Sequence, residues 1–335
     1  MRYNSALDGV RAIAAFSVVA VHCDIPFAHG GMIGVDLFFV LSGLLITTIL
    51  RSEFHQSGTI SLTSFYWRRM LRLCPALIVM LTAYAAVGSL MFSGADVVSD
   101  VVAAGLYLSD YTMAIWGSPL NINHTWSLAV EQHFYLVWPL LLLATRRLAD
   151  EKLAIILMTL FVAATTWRMI DVYLWQDWYW SYYRFDTRLS GLVLGGLIAV
   201  LPWRPEAKTA EFMGKAALYI LALAVVLLRI KTTSSLDWGV LVADLASACL
   251  LLSLASGHET STSRVLSKPV LVYLGSISYS IYLWHYPIAR WLRDDMNPFV
   301  TLMIVASISI ALAALSYEFI EKPLSTLKRR KVAVA

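Results

Sequence analysis

The sequence predicts an all-α fold, a polytopic bundle of helices in a membrane, and its composition and hydrophobic pattern support this. Of its 335 residues, 59% are apolar and only 14% are charged. Soluble globular domains carry about 25% charged residues, so an ordinary cytosolic fold is excluded. The apolar residues come in long runs, which are typical of helices surrounded by lipid or by other apolar helices. The formal net charge of +4 is modest and gives no support to nucleic-acid binding.

Eleven segments are candidate spans, since a helix needs about 20 apolar residues to cross the hydrocarbon core of a bilayer. They are 7–24, 32–51, 73–93, 97–115, 126–145, 153–173, 186–202, 213–230, 237–256, 270–291 and 298–321. The first is interpreted as a retained span, because no cleavage site of a signal peptide follows it. The fourth is the weakest, because it carries Asp96, Asp100 and Asp110, which are costly to place in lipid.

The basic residues of the loops predict the orientation, since cytoplasmic loops carry an excess of Lys and Arg. Such residues are frequent in loops 51–72, 146–152 and 203–215 and absent from loops 25–31 and 116–125. The first group is therefore predicted to face the cytoplasm and the second group the outer side.

Placing both 51–72 and 146–152 in the cytoplasm requires an even number of crossings between them. Segment 97–115 is therefore interpreted as non-spanning or re-entrant. The result is about ten transmembrane helices with both termini cytoplasmic. We expect a membrane domain at 1–325 and a short basic cytoplasmic tail at 326–335.

Some cationic residues do not fit this topology well, because they fall at the ends of outward-facing helices. They are Arg168, Arg184, Arg188, Arg229, Lys231, Arg290 and Arg293. Segment 174–185, between two of these helices, is rich in Trp and Tyr and is predicted to lie in the outer interface.

The first span holds two ionisable residues, Arg11 and His22, and such residues inside a membrane indicate function. Eleven residues are about three helical turns, so both side chains face one side of the helix and lie roughly 16 Å apart along it. One helix face would then connect the cytoplasmic and outer sides of the protein. A snorkelling Arg11 and an interfacial His22 are the plainer alternative.

Carboxylates near the outer side are candidate partners for His22. Asp36 begins the second span, and Glu131 lies in the strongly apolar helix after position 125. His124 and His133 flank Glu131, but their spacing fits no standard set of metal ligands on a helix, so no metal is predicted.

Three arginines, Arg68, Arg69 and Arg72, lie within five residues in SFYWRRMLRLCP on the cytoplasmic side. Arginines at a helix start suit a phosphate-rich ligand. A plain positive-inside signal is the alternative. Ionisable residues also gather toward the outer face: His22, Asp36, Glu131, Arg184, Asp186, Arg188 and His285.

Seven motifs occur in order along nearly the whole chain: LDGVRAIAAFSVVAVH at 7–22, GVDLFFVLSGLLI at 34–46, FYWRRMLRLCP at 65–75, HTWSLAVEQHFYLVWP at 124–139, RFDTRLSGLVLGG at 184–196, LGSISYSIYLWHYP at 274–287 and YEFIEKPLS at 317–325. With these motifs the chain resembles the membrane acyltransferase-3 family, integral inner-membrane enzymes that O-acylate bacterial surface glycans, antigens and antibiotics. The chain looks like the stand-alone form, which lacks the SGNH esterase-like domain of some members.

The resemblance implies a multi-pass protein of the bacterial inner membrane that takes acyl-CoA, usually acetyl-CoA, from the cytoplasm. CoA carries three phosphates, so Arg68, Arg69 and Arg72 are expected to bind its nucleotide end. The pantetheine arm is expected to pass Ser42 toward His22. Ser278 and Tyr282 complete the predicted cofactor-binding set.

The resemblance also implies transfer to a hydroxyl of a glycan or glycolipid at the membrane. His22 would act as general base or carry the acyl group transiently. Glu131 or Asp36 would orient its imidazole, and Arg11 or Ser278 would stabilise the oxyanion. The expected acceptor-binding residues are Trp126, Arg184, Asp186, Arg188 and His285. Polysaccharide, lipid-linked oligosaccharide, a lipid A sugar and a small glycosylated product all fit as acceptors.

Two other functions are compatible with buried ionisable residues. A proton-coupled transporter or exporter of a glycan precursor uses the same residue types, although the sequence shows neither an internal repeat nor paired broken helices. A scaffolding membrane protein would leave the outer ionisable cluster unexplained.

Overall fold

The computed structural model describes residues 4–229 and 231–324, and the regular structure in these ranges is helical. The helices are α1 (Ala6–His22), α2 (Ile33–Ser57), α3 (Leu62–Met91), α4 (Val97–Gly105), α5 (Ser109–Trp116), α6 (Thr125–Ala144), α7 (Asp150–Trp175), α8 (Trp178–Tyr183), α9 (Phe185–Val200), α10 (Ala207–Leu227), α11 (Val240–Ala255), α12 (Ser261–Leu266), α13 (Pro269–Ser276), α14 (Ser278–Leu292) and α15 (Pro298–Ser316). A π-helical turn precedes α11 at Ser235–Gly239, and another follows α15 at Tyr317–Glu321.

By length and composition, seven helices of the described chain can cross a membrane. They are α2, α3, α6, α7, α10, α11 with its preceding π-helical turn, and α15 with the residues that follow it to Leu324. The prediction of a polytopic, all-α membrane protein is confirmed. The number of spans and the cytoplasmic position of both termini stay predictions, and the tail at 326–335 lies outside the described residues.

The weak segment 97–115 folds into two short helices, α4 and α5, joined at Tyr107, whose φ is +55°. At 1.5 Å per residue neither helix is longer than about 14 Å, so neither alone can cross the bilayer. The Asp100 carboxylate accepts hydrogen bonds from Tyr84 Oη at 2.5 Å and Ser118 Oγ at 3.2 Å. Burial raises the pKa of Asp100, and these two donors oppose that shift.

Candidate span 270–291 is not one helix. It breaks at Ile277, with φ −102° and ψ 7°, so that Ser276 ends α13 and Ser278 begins α14. The expectation of one continuous helix over 270–291 is therefore wrong. Ser278, Tyr282 and His285 all belong to α14, and the break lets α14 take a direction different from that of α13.

Helix α2 packs directly on α9, because each helix has a glycine at the point where the backbone of the other helix comes closest. A Cβ on Gly43 would lie 1.9 Å from the carbonyl oxygen of Leu192, and one on Gly195 would lie 1.9 Å from that of Val40. Small residues are what allow membrane helices to approach this closely. The contact fixes the position of Ser42, next to Gly43, relative to α9.

Candidate active site

A cavity of about 90 Å³, called the inner cavity after its predicted side of the membrane, lies between α1, α2, α3, α6 and α14. Its polar lining side chains are Arg11, Ser42, Arg69, Arg72, Ser127, Glu131, Tyr135, Ser278, Tyr279 and Tyr282. Seven residues of this lining belong to the catalytic or cofactor-binding sets predicted from the sequence: Arg11, Ser42, Arg69, Arg72, Glu131, Ser278 and Tyr282. Ser127 was not among the predicted residues.

Four polar side chains of the inner cavity, Ser42, Glu131, Tyr135 and Arg69, form one chain of contacts. Ser42 Oγ donates a hydrogen bond to the Glu131 carboxylate and lies 3.4 Å from the Tyr135 hydroxyl. The Arg69 guanidinium lies 5.4 Å from the centre of the Tyr135 ring and 5.6 Å from that of Phe65. Glu131 therefore faces arginines across the cavity.

A second pocket of about 670 Å³, called the outer pocket after its predicted side of the membrane, contains His22. Cationic and aromatic side chains dominate its lining: Arg229, Lys231, Arg290, Arg293, Trp126, Trp178, Tyr179, Tyr182, Tyr183 and Tyr286. Leu120 and Asn123, from the loop before α6, also contribute. Since Arg11 lines the inner cavity and His22 the outer pocket, one face of α1 reaches both. That these two cavities open to opposite sides of the membrane stays a prediction.

His22 is paired with a second histidine. His22 Nδ1 lies 2.9 Å from His285 Nε2, and the two rings stack with centroids 5.1 Å apart. His285 Nδ1 lies 2.7 Å from the carbonyl oxygen of Tyr282, which can only accept, so Nδ1 carries the hydrogen. With both rings neutral, His285 Nε2 accepts from His22 Nδ1. His22 Nε2 is then left with its lone pair.

Tyr282 connects this histidine pair with the inner cavity. Its hydroxyl lines the cavity with Ser127, 2.6 Å away, and donates to the carbonyl oxygen of His124 at 3.1 Å. Its own carbonyl holds His285. The predicted cofactor-binding residue Tyr282 thus also positions the residue that holds His22.

The predicted partners of His22 lie elsewhere. Glu131 is bonded to Ser42 in the inner cavity, and Asp36 Oδ1 accepts a 2.6 Å hydrogen bond from Arg188. Both Asp36 and Arg188 are buried, and charge compensation between them explains their pairing. The prediction that a carboxylate orients His22 is therefore wrong, and His285 has that position.

Arg11 and Ser278 are also remote from His22, because both line the inner cavity. Arg11 donates to Asp8 at 2.9 Å and lines the inner cavity, roughly 16 Å along α1 from His22. Ser278 precedes His285 by about two turns of α14 and lines the same cavity. At these distances neither side chain reaches an oxyanion formed beside His22.

The residues predicted to bind an acceptor are divided. Trp126 lines the outer pocket, and His285 lies directly behind His22. Arg184, Asp186 and Arg188 are absent from its lining, because each has an internal partner.

Arg184 forms ion pairs with two carboxylates, Asp171 at 2.9 Å and Asp186 at 2.6 Å. Burial acts to lower the pKa of the Arg184 guanidinium, but its hydrogen bonds to Asp186 and Asp171 outweigh this and the net shift is upward. Arg184 also lies 4.4 Å from the centre of the Trp180 ring. These contacts give Arg184 a role in holding α8 against α7 and α9.

Arg68 differs from its two neighbours in the arginine motif. It pairs with Glu53 at 3.0 Å, whereas Arg69 and Arg72 line the inner cavity. Helical geometry explains the difference, since the side chains of consecutive residues diverge by about 100° around the helix.

The two histidines near Glu131 on α6, His124 and His133, contact different partners. His124 Nε2 donates to the carbonyl oxygen of Leu283 at 3.1 Å, and His133 Nδ1 lies 3.0 Å from Asp110 Oδ2. Glu131 is occupied by Ser42. In the described chain no group of three or more His, Cys, Asp or Glu side chains is placed to hold a metal ion.

Sequence reasoning missed the outer cations as a group. Arg229, Lys231, Arg290 and Arg293 were exceptions to the charge rule, and the structure gathers all four around the pocket that contains His22. Their violation of the positive-inside pattern was the signal that could have identified them.

A family model described as an acyltransferase domain matches residues 4–318. A Staphylococcus aureus (strain MSSA476) protein named "putative O-acetyltransferase" is 32% identical over 352 residues, which cover 96% of this chain and 57% of that protein. A "peptidoglycan O-acetyltransferase" of Listeria monocytogenes is 31% identical over 351 residues, with 96% and 56% covered. The chain therefore spans a little over half the length of these relatives, and no solved structure matches it. The match over nearly all of its length shows that the chain belongs to the membrane acyltransferase-3 family.

Proposed function

We propose that this protein transfers an acyl group, in the first instance acetyl, from cytoplasmic acyl-CoA to a hydroxyl of a glycan or glycolipid at the bacterial inner membrane. The family and the relatives' names support O-acetyl transfer. One observation carries the proposal further: α1 presents Arg11 to the inner cavity and His22 to the outer pocket. A donor and an acceptor from opposite sides of a membrane need such an arrangement.

The donor half of the reaction is assigned to the inner cavity. Arg69 and Arg72 supply positive charge for the phosphates of CoA, and guanidinium groups suit phosphate oxygens. Arg11, Ser42 and Tyr282 then line the route of the pantetheine arm toward His22. An extended pantetheine can bridge the roughly 16 Å from Arg11 to His22.

The chemical step is assigned to His22 Nε2. A sugar hydroxyl is a poor nucleophile toward a thioester until its proton is removed, and a neutral imidazole can remove it. As the hydroxyl oxygen bonds to the thioester carbon, its proton moves to His22 Nε2. The C–S bond then breaks, and the CoA thiolate leaves and takes that proton, which restores neutral His22.

His285 acts in this scheme as a positioning residue. It accepts the hydrogen bond from His22 Nδ1 and thereby fixes the tautomer in which Nε2 is the base. It also stabilises the positive charge that His22 acquires. An acyl-His22 intermediate would use the same nitrogen, and rapid quenching without acceptor distinguishes the two routes.

The acceptor is assigned to the outer pocket. The name of the Listeria monocytogenes relative favours peptidoglycan over the acceptors that the sequence left open, such as another polysaccharide or a lipid A sugar. The pocket volume of about 670 Å³ accommodates at least one sugar ring beside His22.

The test uses purified protein in lipid nanodiscs and measures binding and consumption of acetyl-CoA. We expect His22→Ala to bind acetyl-CoA but release no CoA, and Arg69→Ala to bind it weakly. His258→Ala and Arg264→Gln serve as controls, because both side chains are exposed in the loop before α12 or on α12 itself. A wild-type protein that neither binds nor consumes acetyl-CoA would refute the donor assignment. A glycan-precursor carrier would then be the function to test.

A further inference from the structure

The outer pocket carries more positive charge than its protein surroundings neutralise. Arg229 and Lys231 come from the chain just after α10, and Arg290 and Arg293 from the end of α14. Among the described residues of the lining, two carboxylates accompany these four cations, those of Asp24 and Asp294. Cations on this side of a membrane run against the positive-inside pattern, which indicates a local reason for them.

The contacts of the four side chains leave much of that charge available. Arg290 pairs closely with Asp294 at 2.6 Å, but Arg293 lies 3.7 Å from Asp294 and 3.9 Å from Asp24. The buried Nε of Arg293 has no hydrogen-bond partner. At these separations the Arg293 ion pairs lack hydrogen bonds of normal length.

The two cations after α10 have no carboxylate partner within the described chain. Lys231 Nζ lies 5.4 Å from the centre of the Tyr179 ring, an arrangement that leaves its ammonium donors available. The Arg229 guanidinium is exposed, lines the pocket and forms neither a hydrogen bond nor an ion pair with any described residue. A carboxylate or phosphate is the ligand group that such donors prefer.

Aromatic rings form the other wall of the pocket. Trp178 stacks on Tyr182 with centroids 4.1 Å apart, and Trp126 lies 4.9 Å from Tyr182. The buried Nε1 of Trp178 and hydroxyl of Tyr182 both lack hydrogen-bond partners in the protein. Rings with apolar faces and unpaired polar edges suit a sugar, which has apolar C–H faces and peripheral hydroxyls.

Resting on the proposed function, we infer that the outer pocket selects an anionic acceptor, a glycan that bears a carboxylate or phosphate close to the hydroxyl to be acylated. The aromatic wall binds the sugar ring, and Arg229, Lys231 and Arg293 bind its charge. Lipid headgroups offer phosphate too, but the shared lining of His22, cations and aromatic rings in one pocket favours the glycan.

The experiment measures binding of two tetrasaccharides to the protein in nanodiscs of purely zwitterionic lipid. One is a uronate-containing tetrasaccharide of hyaluronan, and the other is the same molecule after reduction of its carboxylates to alcohols. Quenching of tryptophan fluorescence reports binding, since Trp126 and Trp178 line the pocket. Wild type, Arg229→Gln, Arg293→Gln and the distant control Arg264→Gln are compared at 50 and 300 mM salt.

We expect the uronate form to bind wild type and Arg264→Gln at least about tenfold more tightly than the reduced form. This preference should shrink at high salt and in both pocket variants. Equal binding of the two sugars, or binding of neither, would overturn the inference. In a parallel series, the Tm of each variant is measured in nanodiscs that contain the anionic lipid phosphatidylglycerol. If the pocket variants lose only the increase in Tm that this lipid gives to wild type, and bind both sugars as wild type does, the inference is also overturned, because the cations would then bind lipid headgroups.

Consumption of acetyl-CoA is measured on the same wild-type preparation. If the protein consumes acetyl-CoA but shows no charge preference, the inference fails and the proposed function stands. If it binds the uronate form selectively without using acetyl-CoA, the proposed function fails instead.

Discussion

His22 Nδ1 lies 2.9 Å from His285 Nε2, although 263 positions separate the two histidines in the chain. The pair joins the end of α1 to the middle of α14, at the inner wall of the outer pocket. The partner of His22 is thus a neutral histidine and not the expected carboxylate. It fixes the tautomer of His22 without placing a permanent negative charge in an apolar setting, which would be costly.

Replacing His285 should therefore impair turnover more than donor binding. We expect His285→Phe, which keeps a ring but has no acceptor, to lower kcat by at least about tenfold, within the range attributed to general acid–base groups. The KM for acetyl-CoA should change little, because His285 lies outside the inner cavity. His285→Gln offers an amide oxygen to His22 and should recover part of the loss. Wild-type kcat in His285→Phe would show that His285 does not position the base.

The two adjacent arginines of the RRMLR motif should have different effects on CoA binding. Arg69 lines the inner cavity, whereas Arg68 is paired with Glu53. A hydrogen bond to a charged group contributes about 1.5–3 kcal/mol, so we expect Arg69→Gln to raise the Kd for CoA roughly 10- to 100-fold. Arg68→Gln is the matched control and should change it less than about threefold. Equal losses in both variants, measured by equilibrium binding, would mean that only the total positive charge matters.

The helices and the two-sided arrangement could be predicted from the sequence, because hydrophobic runs and charge bias act over whole segments. The separation of Arg11 and His22 by about three turns on one face of α1 follows from helical spacing alone, and in the structure the two side chains line different cavities. Which side of the membrane each faces stays a prediction. The break at Ile277 could not be predicted, since no proline or glycine occupies that position.

The partner of His22 could not be predicted for a related reason. The sequence predicts Asp36, Glu131 and His285 all near the outer face, but which of them reaches His22 depends on the exact depth of each side chain and on the rotation of each helix about its axis. That rotation is set by contacts such as Gly43 against Leu192, which only the folded protein shows. For Asp36 the ion pair with the buried Arg188 holds the carboxylate away from His22.

The Asp36–Arg188 pair should be structural rather than catalytic. Both side chains are buried, and Arg188 also lies 4.8 Å from the centre of the Tyr182 ring. Removing one partner of a buried ion pair costs about 3–5 kcal/mol, so we expect Asp36→Ala to lower the free energy of unfolding by that order. The double variant Asp36→Ala/Arg188→Met should recover part of the loss, as thermal unfolding in detergent would show. An Asp36→Ala protein of normal stability but without turnover would favour the catalytic role.

The glycine contact between α2 and α9 should be sensitive to a single methyl group. In Gly195→Ala the new Cβ would lie 1.9 Å from the carbonyl oxygen of Val40, so the helices must separate. Overpacking of this kind costs about 1–3 kcal/mol and should lower the Tm. Gly105→Ala in α4 is the control, because its Cβ would meet only Leu81 Cδ1 at 3.6 Å. A Tm for Gly195→Ala equal to that of Gly105→Ala would contradict the close packing of α2 and α9.

The topology can be tested at the loop that follows α5. Leu120 is 52% exposed and lines the same pocket as His22, so it should lie on the outer side of the membrane. Gln56, exposed near the end of α2, belongs to the basic loop 51–72 and should face the cytoplasm. The two positions therefore form a matched pair for cysteine labelling in a variant whose three native cysteines are replaced.

We expect a membrane-impermeant maleimide to label Leu120→Cys in intact cells and Gln56→Cys only after permeabilisation. This result requires an odd number of crossings between positions 56 and 120, which α3 supplies alone when α4 and α5 together make none. Those two helices, of nine and eight residues, are too short to cross singly. The opposite labelling pattern would show that the protein has the inverted orientation in the membrane. The arginines of the inner cavity would then face away from cytoplasmic acyl-CoA.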